Sequence, residues 1–192
     1  MIASGSTYGF IILYDINSGK SVAEVSGHDE WVNACTFTPD GCLFISSSTD
    51  TTLKLWNVQS LDCQATFVSH DGGVNACAVA PKRCFIFSAS DDRSLIMWDI
   101  ENAKPVTFFE GHTHSVYDSA LTKDGSTLIS ASGDKTVKLW IVKSVKCETT
   151  LKGHRDIVSS CAVTPDGSTV VSASLDRTLK LWDVRTLKCV DT

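Results

Sequence analysis

Four histidines and four aspartates recur in this chain at a spacing that could support acid–base catalysis or metal binding. The histidines lie 42 residues apart, and each aspartate follows its histidine by 22 residues. Imidazole and carboxylate groups serve as general bases and as metal ligands, so four such pairs invite both interpretations. The residues are His28, His70, His112 and His154, with Asp50, Asp92, Asp134 and Asp176.

A tryptophan follows each aspartate after six residues, at Trp56, Trp98, Trp140 and Trp182. The surrounding sequence repeats as well, because residues 153–182 match residues 111–140 at 17 of 30 positions. A period of about 40 residues is typical of repeat architectures. An active site is one constellation, whereas these residues recur in every copy. We therefore predict a structural role for all twelve, and no catalytic, cofactor-binding or metal-binding residues.

Short strands must position these residues. In each copy the histidine opens a loop, preceded by glycine in three copies and by Ser69 in the second. Two apolar strands follow, separated by turns such as Pro39-Asp40-Gly41 and Pro165-Asp166-Gly167. Proline presets φ for a turn, and glycine accepts a positive φ. The second copy keeps this turn only in part, as Pro81-Lys82-Arg83. Strands of five to seven residues without a helical period predict an all-β fold.

The period divides the chain into one partial and four full copies within a single segment, residues 1–192. The partial copy covers residues 1–27, where Tyr8 and Tyr14 occupy the Asp and Trp positions. The full copies are residues 28–69, 70–111, 112–153 and 154–192.

The repeated Gly27-His28…Asp50…Trp56 pattern resembles the WD-repeat family of β-propellers. This resemblance implies four-stranded antiparallel blades stacked around an axis. It also implies that His, Asp, Trp and a hydroxyl of the second strand form one hydrogen-bonded network in each blade. We expect the hydroxyl from Ser46, Ser88, Ser130 and Ser172, with Ser48, Ser90, Ser132 and Ser174 as the alternative.

The copies amount to about five blades, and the first lacks its innermost strand. We therefore expect an incomplete propeller, an open arc or fragment of a larger one, with exposed faces at both ends. A strained ring of five blades and closure through a second copy are the alternatives. The open ends could then support self-association.

Composition limits the classes of function. The net charge of −5 disfavours a nucleic-acid partner, which selects clustered Lys and Arg. Neither an 18-residue apolar run nor a secretory signal is present, so we expect no membrane partner and a cytoplasmic location, with the nucleus as the alternative. The eight cysteines fall at repeat-equivalent positions and are expected to be structural free thiols on strands.

Function must use residues that differ between the copies. We predict a non-catalytic scaffold for protein–protein interaction that presents one loop rim to protein or peptide partners, without a cofactor. A module recognising nucleic acid or chromatin is the alternative, and a propeller hydrolase is a weaker one. His114, the one histidine off the period, is expected to be exposed. The predicted partner-binding residues are Trp31, Asn33, Asp91, Arg93, Tyr117, Arg155, Ile157 and Leu175.

Overall fold

The computed structural model describes residues 1–81 and 85–192. Within them, nineteen strands form five antiparallel sheets, numbered here in chain order. Sheet 1 has β1 (Ile2–Gly5), β2 (Phe10–Tyr14) and β3 (Ser21–Ser26). Sheet 2 has β4 (Val32–Phe37), β5 (Leu43–Ser48), β6 (Thr52–Asn57) and β7 (Cys63–Val68). Sheet 3 has β8 (Val74–Val79), β9 (Phe85–Ser90), β10 (Leu95–Asp99) and β11 (Lys104–Phe109). Sheet 4 has β12 (Val116–Leu121), β13 (Thr127–Ser132), β14 (Thr136–Ile141) and β15 (Lys146–Lys152). Sheet 5 has β16 (Val158–Val163), β17 (Thr169–Ser174), β18 (Leu179–Asp183) and β19 (Lys188–Asp191).

Strand order in each sheet follows chain order, so every connection within a sheet is a hairpin. The first strand of each four-stranded sheet packs on the sheet before it: β4 on β1, β8 on β4 and β5, β12 on β8 and β9, and β16 on β12 and β13. The predicted all-β fold with about five blades is confirmed, and the first blade has three strands.

Alternation along the central strands builds the core, because neighbouring side chains point to opposite faces. On β5, Phe44 packs with Ile11 and Leu13 of sheet 1, while Ile45 packs with Val74 of sheet 3. Both Phe44 and Ile45 are fully buried. Each sheet is thus apolar on both faces, and burial of its core depends on its neighbours.

The repeated tryptophan closes each interface between sheets. Trp98 of sheet 3 meets Phe67 of sheet 2 edge to face at 5.6 Å between ring centroids, and Trp140 meets Phe109 at 5.9 Å. Edge-to-face pairs of this kind favour one packing geometry. The tryptophan therefore donates a hydrogen bond within its own sheet and packs against the preceding sheet.

The turns between first and second strands depend on glycine and a Thr-Asp pair. Gly41, Gly125 and Gly167 have φ of 70–72°. Thr38 Oγ1 donates to Asp40 Oδ1 at 2.6 Å, as Thr122 does to Asp124. The predicted turn at Pro81-Lys82-Arg83 lies largely outside the described residues, as does Cys84.

The arc is open, because the outward faces of the first and last sheets are uncovered. Leu179 of sheet 5 is 58% exposed, whereas its counterparts Ile11, Leu53, Leu95 and Val137 are all at 0%. Ile2 of sheet 1 is 54% exposed, although its counterpart Phe44 is at 0%. Sheets 1 and 5 therefore do not pack on each other as a ring of five blades requires.

The cysteines are placed less uniformly than predicted. Cys35, Cys77 and Cys161 lie on the innermost strands, where burial raises the pKa of each thiol, to about 12 for Cys35. Cys42 lies in the bend before β5, so its assignment to a strand was wrong. Cys63, Cys147 and Cys189 are exposed on the outermost strands. Cys35, Cys63, Cys77, Cys147, Cys161 and Cys189 are free thiols.

Candidate functional site

The repeated His, Asp, Ser and Trp form one hydrogen-bonded chain inside each four-stranded sheet. In sheet 3, His70 Nδ1 lies 2.6 Å from Asp92 Oδ2, and its Nε2 lies 2.7 Å from Ser88 Oγ. Trp98 Nε1 donates to the same hydroxyl at 2.8 Å. Sheets 2, 4 and 5 repeat these contacts through Ser46, Ser130 and Ser172 within 0.3 Å.

The chain has one consistent direction of proton donation. Because the carboxylate of Asp92 only accepts, His70 Nδ1 carries a proton and Nε2 is left as an acceptor. Ser88 then donates its proton to Nε2 and accepts from the Trp98 indole. Every polar atom of this buried network has a partner, which is the condition for such a network to be tolerated in a core.

The order Ser–His–Asp is also that of the catalytic triad of serine hydrolases, but the surroundings are not those of a nucleophile. Ser88 is fully buried, and its oxygen is already bonded to the indole N–H of Trp98. A substrate carbonyl could not reach this oxygen without displacing the core. These groups hold the sheet together.

Charge and burial set the protonation states in the network. Burial lowers the pKa of His28, an effect that the adjacent Asp50 only partly offsets. Burial also opposes ionisation of Asp50, but hydrogen bonds from Thr52 and His28 outweigh it and lower the pKa of the carboxyl. The same balance holds the pKa of Asp92 well below its usual range, through His70 and Ser94.

The serine at the end of the second strand of each four-stranded sheet makes different contacts. Ser90 Oγ accepts from Asp92 N and donates to the carbonyl of Gly72, both at 3.1 Å. Ser132 likewise contacts Asp134 N and donates to His114 O. These serines tie the Asp turn to the loop that follows the histidine.

That loop and that turn form one edge of the arc, which we call the loop rim: residues 28–33, 49–51, 70–75, 91–93, 112–117, 133–135, 154–159 and 175–177. Backbone hydrogen bonds of 2.9 Å join loop to turn in each sheet, from Thr49 N to Trp31 O, Asp91 N to Gly73 O, Gly133 N to Ser115 O and Leu175 N to Ile157 O. The rim is therefore held by the scaffold.

A β-bulge near the start of each innermost strand aims one side chain at the rim. The register shifts at Asn33, Asn75, Tyr117 and Ser159. Asn33 Nδ2 donates to Val74 O of the next sheet at 2.9 Å, and Asn75 donates to Val116 O at 3.0 Å. Bulges commonly re-aim a side chain in this way. Asn33, predicted to bind a partner, thus also joins two sheets.

Sheet 4 departs from this pattern. Tyr117 stands where an asparagine would join the next sheet, and its neighbour Asp118 takes over that contact. Asp118 Oδ2 accepts from Ser160 Oγ at 2.6 Å and from Cys161 N at 3.0 Å. Tyr117 is thereby released from joining sheets 4 and 5, and it packs beside Gly133, where a Cβ would lie 3.3 Å from its ring.

The remaining predicted residues are spread along the rim. Trp31 is 57% and Leu175 59% exposed, and Asp91, Arg93 and Arg155 are exposed as well. Ile157 is half-buried. Asp91 Oδ1 accepts from Asn75 at 2.9 Å. The structure thus places these residues along one edge of the arc. Within each sheet, the residues of the loop lie next to those of the turn.

Formal charge divides the loop rim into two halves, once the four network aspartates are set aside. Sheets 2 and 3 carry four exposed acids, Asp29, Glu30, Asp71 and Asp91, against one base, Arg93. Sheets 4 and 5 carry three bases, Lys135, Arg155 and Arg177, against one acid, Asp156.

Two residues, Tyr8 and Asp118, were not singled out in the sequence analysis as candidates for a contact or a binding role. Tyr8 is 82% exposed on the first turn of sheet 1, and the adjoining Gly9 lies against the backbone of His28 and Glu30. The sequence signal that could have identified Tyr8 is that the other copies have an aspartate at this position. Asp118 had a comparable signal, since Ala34, Ala76 and Ser160 occupy its position elsewhere.

His114 is exposed, as predicted, and its ring lies over Gly133. A cleft of about 470 Å³ between sheets 4 and 5 is lined by the turns opposite the loop rim, including Thr122 and Pro165. In residues 1–81 and 85–192, no group of three His, Cys, Asp or Glu side chains is arranged to hold a metal ion. Nor is any helix there long and apolar enough to cross a membrane.

Three relatives match short segments of the chain. Apoptotic protease-activating factor 1 of Danio rerio is 40% identical over 55 residues, covering 29% of this chain and 4% of the relative. Serine-threonine kinase receptor-associated protein of Dictyostelium discoideum is 41% identical over 54 residues, covering 28% and 18%. Apoptotic protease-activating factor 1 of Homo sapiens is 42% identical over 43 residues, covering 22% and 3%. The matches therefore span less than a fifth of each relative.

The family model described as WD domain, G-beta repeat matches four segments, residues 19–57, 61–99, 103–140 and 145–183. Each match ends at or one residue after the network tryptophan, and together the matches cover well over half of the chain. The chain belongs to the WD-repeat family.

Proposed function

We propose that this chain is a non-catalytic protein-binding module whose loop rim contacts the partner. WD repeats are a domain type generally used for protein–protein interaction. The observation that carries the proposal is Trp31, a large aromatic side chain 57% exposed on a rim whose backbone is hydrogen-bonded in place. Exposed aromatic anchors on rigid elements often dominate binding energy.

The charge of the rim narrows the kind of partner. Asp29 and Glu30 directly precede Trp31 and are also exposed, and acids close to an exposed indole suit a cationic side chain, which the ring also attracts. Arg155 and Arg177 stand at the other end of the rim. We infer a partner segment that is basic where it crosses sheet 2 and acidic where it crosses sheets 4 and 5.

The test is affinity capture from lysate with wild type and three single variants as bait. Trp31→Ala should lose at least tenfold of the captured partner, and Arg155→Glu should lose less but show a changed salt dependence. Val68→Ala is the matched control, since Val68 is 65% exposed on the outermost strand β7. Unchanged capture by both rim variants would contradict the proposal. Loss of capture after nuclease treatment would favour the nucleic-acid alternative instead.

A further inference from the structure

A groove of about 500 Å³ lies beside the third and fourth strands of sheet 4, between the loop that enters this sheet and the loop that leaves it. Thr113 of the entering loop and Gly153 of the leaving loop form its two sides. We call it the lysine groove, because three lysines line it: Lys135, Lys138 and Lys152. All of its lining residues lie between positions 111 and 154, in a sheet that has a neighbour on each face.

The register of β14 and β15 brings two of the lysines to one face. Thr136 pairs with Lys152, and Lys138 pairs with Thr150. Because Lys138 lies two residues after Thr136, all four side chains share a face, and Lys138 and Lys152 are diagonal neighbours with Cα atoms about 7–8 Å apart. Lys135 lies in the turn before β14 and donates to a backbone carbonyl of the leaving loop at 3.1 Å. The three ammonium groups therefore line one groove.

The protein does not neutralise the positive charge of the lysine groove. Among residues 1–81 and 85–192, none of the three ammonium groups lies within salt-bridge distance of a carboxylate. Asp134 supplies a carboxylate to the wall, but its side chain is only 9% exposed. This carboxylate accepts four hydrogen bonds, from His112, Thr113 and Thr136. Its charge is thus used within the sheet.

Equivalent positions show that this set of cations does not belong to the repeat. At the position of Lys152, sheets 2 and 3 have Val68 and Glu110. At the position of Thr113, both of those sheets have an aspartate. Sheet 4 thus combines three cations with a hydroxyl where sheets 2 and 3 have acids, and Arg155 of sheet 5 extends the basic surface. Scaffold residues repeat, so residues that differ in this way point to a ligand.

We propose that the lysine groove binds a phosphoryl group. At neutral pH a phosphate monoester carries about 1.5–2 negative charges and three acceptor oxygens. Lysine binds phosphate as a point charge, and each ammonium group has three donors. The three lysines and the Thr113 hydroxyl can therefore contact such a group together. A carboxylate, with one charge and two oxygens, would leave most of the positive charge unpaired.

Isothermal titration with inorganic pyrophosphate, at neutral pH and constant ionic strength, measures this site directly. Wild type should bind one pyrophosphate, and Lys152→Ala and Lys138→Met should each weaken binding about fivefold, the upper range for exposed charge pairs. Lys54→Met is the matched control, because Lys54 has the place of Lys138 in sheet 2. Lys54 donates to Thr66 at 3.1 Å, as Lys138 does to Thr150 at 2.8 Å. The control should bind as wild type does.

Amide chemical shifts locate the bound anion. Those of Thr113, Lys135 and Gly153 should move as pyrophosphate is added, whereas that of Asp29, in the equivalent loop of sheet 2, should not. Three results would overturn the proposal: no binding in the millimolar range, an equal loss of affinity in Lys54→Met, or acetate binding as tightly as phosphate. Circular dichroism checks that each variant is folded, and Lys152→Gln replaces Lys152→Ala if the latter is not.

A second arm identifies the source of the phosphoryl group. Once the titration has shown the site, partner capture is repeated with lysate treated with phosphatase. Capture that falls for wild type, but falls no further for Lys152→Ala, assigns the group to a phosphorylated side chain of the protein partner. Capture that phosphatase leaves unchanged assigns it to a free phosphate compound. The titration needs no partner protein, so its failure is distinguishable from failure of the proposed function.

Discussion

At the scale of single residues, the network tryptophan links the polar and apolar parts of the molecule. Trp98 donates to Ser88 within sheet 3 and packs on Phe67 of sheet 2. A hydrogen bond fixes the ring in one orientation, and in that orientation the ring packs against the preceding sheet. The polar network therefore stabilises the stacking of sheets as well as the sheet in which it lies.

Ser88→Ala tests the network directly. Removing the hydroxyl leaves His70 Nε2 and Trp98 Nε1 buried without their partner, and unsatisfied buried groups cost about 1–3 kcal/mol each. We expect the free energy of unfolding to fall by about 2–4 kcal/mol in urea titrations. Ser159→Ala, on the exposed rim, should change it by less than about 0.5 kcal/mol. A small loss for Ser88→Ala would show that the network is dispensable.

Acid should weaken the fold in two steps through the His28–Asp50 pair. The folded-state pKa of His28 is lowered by burial, so its contribution to stability is complete above about pH 6.5 and is lost as the pH falls below that value. The folded-state pKa of Asp50 is also lowered, so its contribution is present above about pH 4 and is lost on further acidification. Urea midpoints measured from neutral to acidic pH should therefore decline twice.

Asp50→Asn is the variant that separates the two steps. It removes the titrating carboxyl, so we expect a lower midpoint at neutral pH and a shallower decline below about pH 4. An unchanged slope in that range would assign the acid transition to other carboxyls, such as those of Asp124 and Asp166. Hydrogen bonds within their turns lower the pKa of each of these two carboxyls to about 2.

At the scale of elements, the bulged innermost strands both join the sheets and place a side chain at the loop rim. Asn33 and Asn75 use the bulge to reach the next sheet, whereas Tyr117 uses it to reach the rim. The change is tolerated because Asp118, one residue on, contacts sheet 5 in its place. A position is thus released from its structural contact once a neighbour makes that contact.

Asp118→Ala should loosen sheet 5 from sheet 4. It removes two hydrogen bonds to a carboxylate, and bonds to charged groups contribute about 1.5–3 kcal/mol each, so we expect a loss of about 2 kcal/mol or more. Hydrogen exchange at the Cys161 amide, which donates to Asp118, should accelerate more than exchange in β8. Asp71→Ala, an exposed rim variant, is the control. Equal acceleration in both strands would argue for a global effect.

At the scale of the whole molecule, the sheets form a one-dimensional stack in which each main contact joins neighbours. Stability in such arrays is a sum of unit and interface terms, so a sheet with one neighbour is held by fewer terms than a sheet with two. Sheets 2, 3 and 4 are covered on both faces, and sheets 1 and 5 on one.

Hydrogen exchange should follow this order. Amides of β9 and β10 in sheet 3 should be protected more strongly than those of β17 and β18 in sheet 5, because local opening of sheet 5 breaks one interface and not two. These strands are central in both sheets, so edge exposure does not bias the comparison. Equal protection would indicate one cooperative unit.

The sequence alone was enough to identify the repeat, the short strands and the recurring His, Asp and Trp positions. Such success has a physical cause: turns and alternating strands are local features, and repetition in four copies separates scaffold residues from variable ones. The choice between Ser46 and Ser48 required distances, since both point into crowded regions.

The tertiary structure alone decided what covers each residue. Leu179 and Val137 have the same place in the repeat, yet one is 58% exposed and the other buried, because only sheet 4 is followed by another sheet. Local sequence cannot express this difference, since burial depends on which surface is packed against a face. For the same reason the exposed Tyr8 and the inter-sheet contacts of Asp118 emerged only when neighbouring sheets were in place.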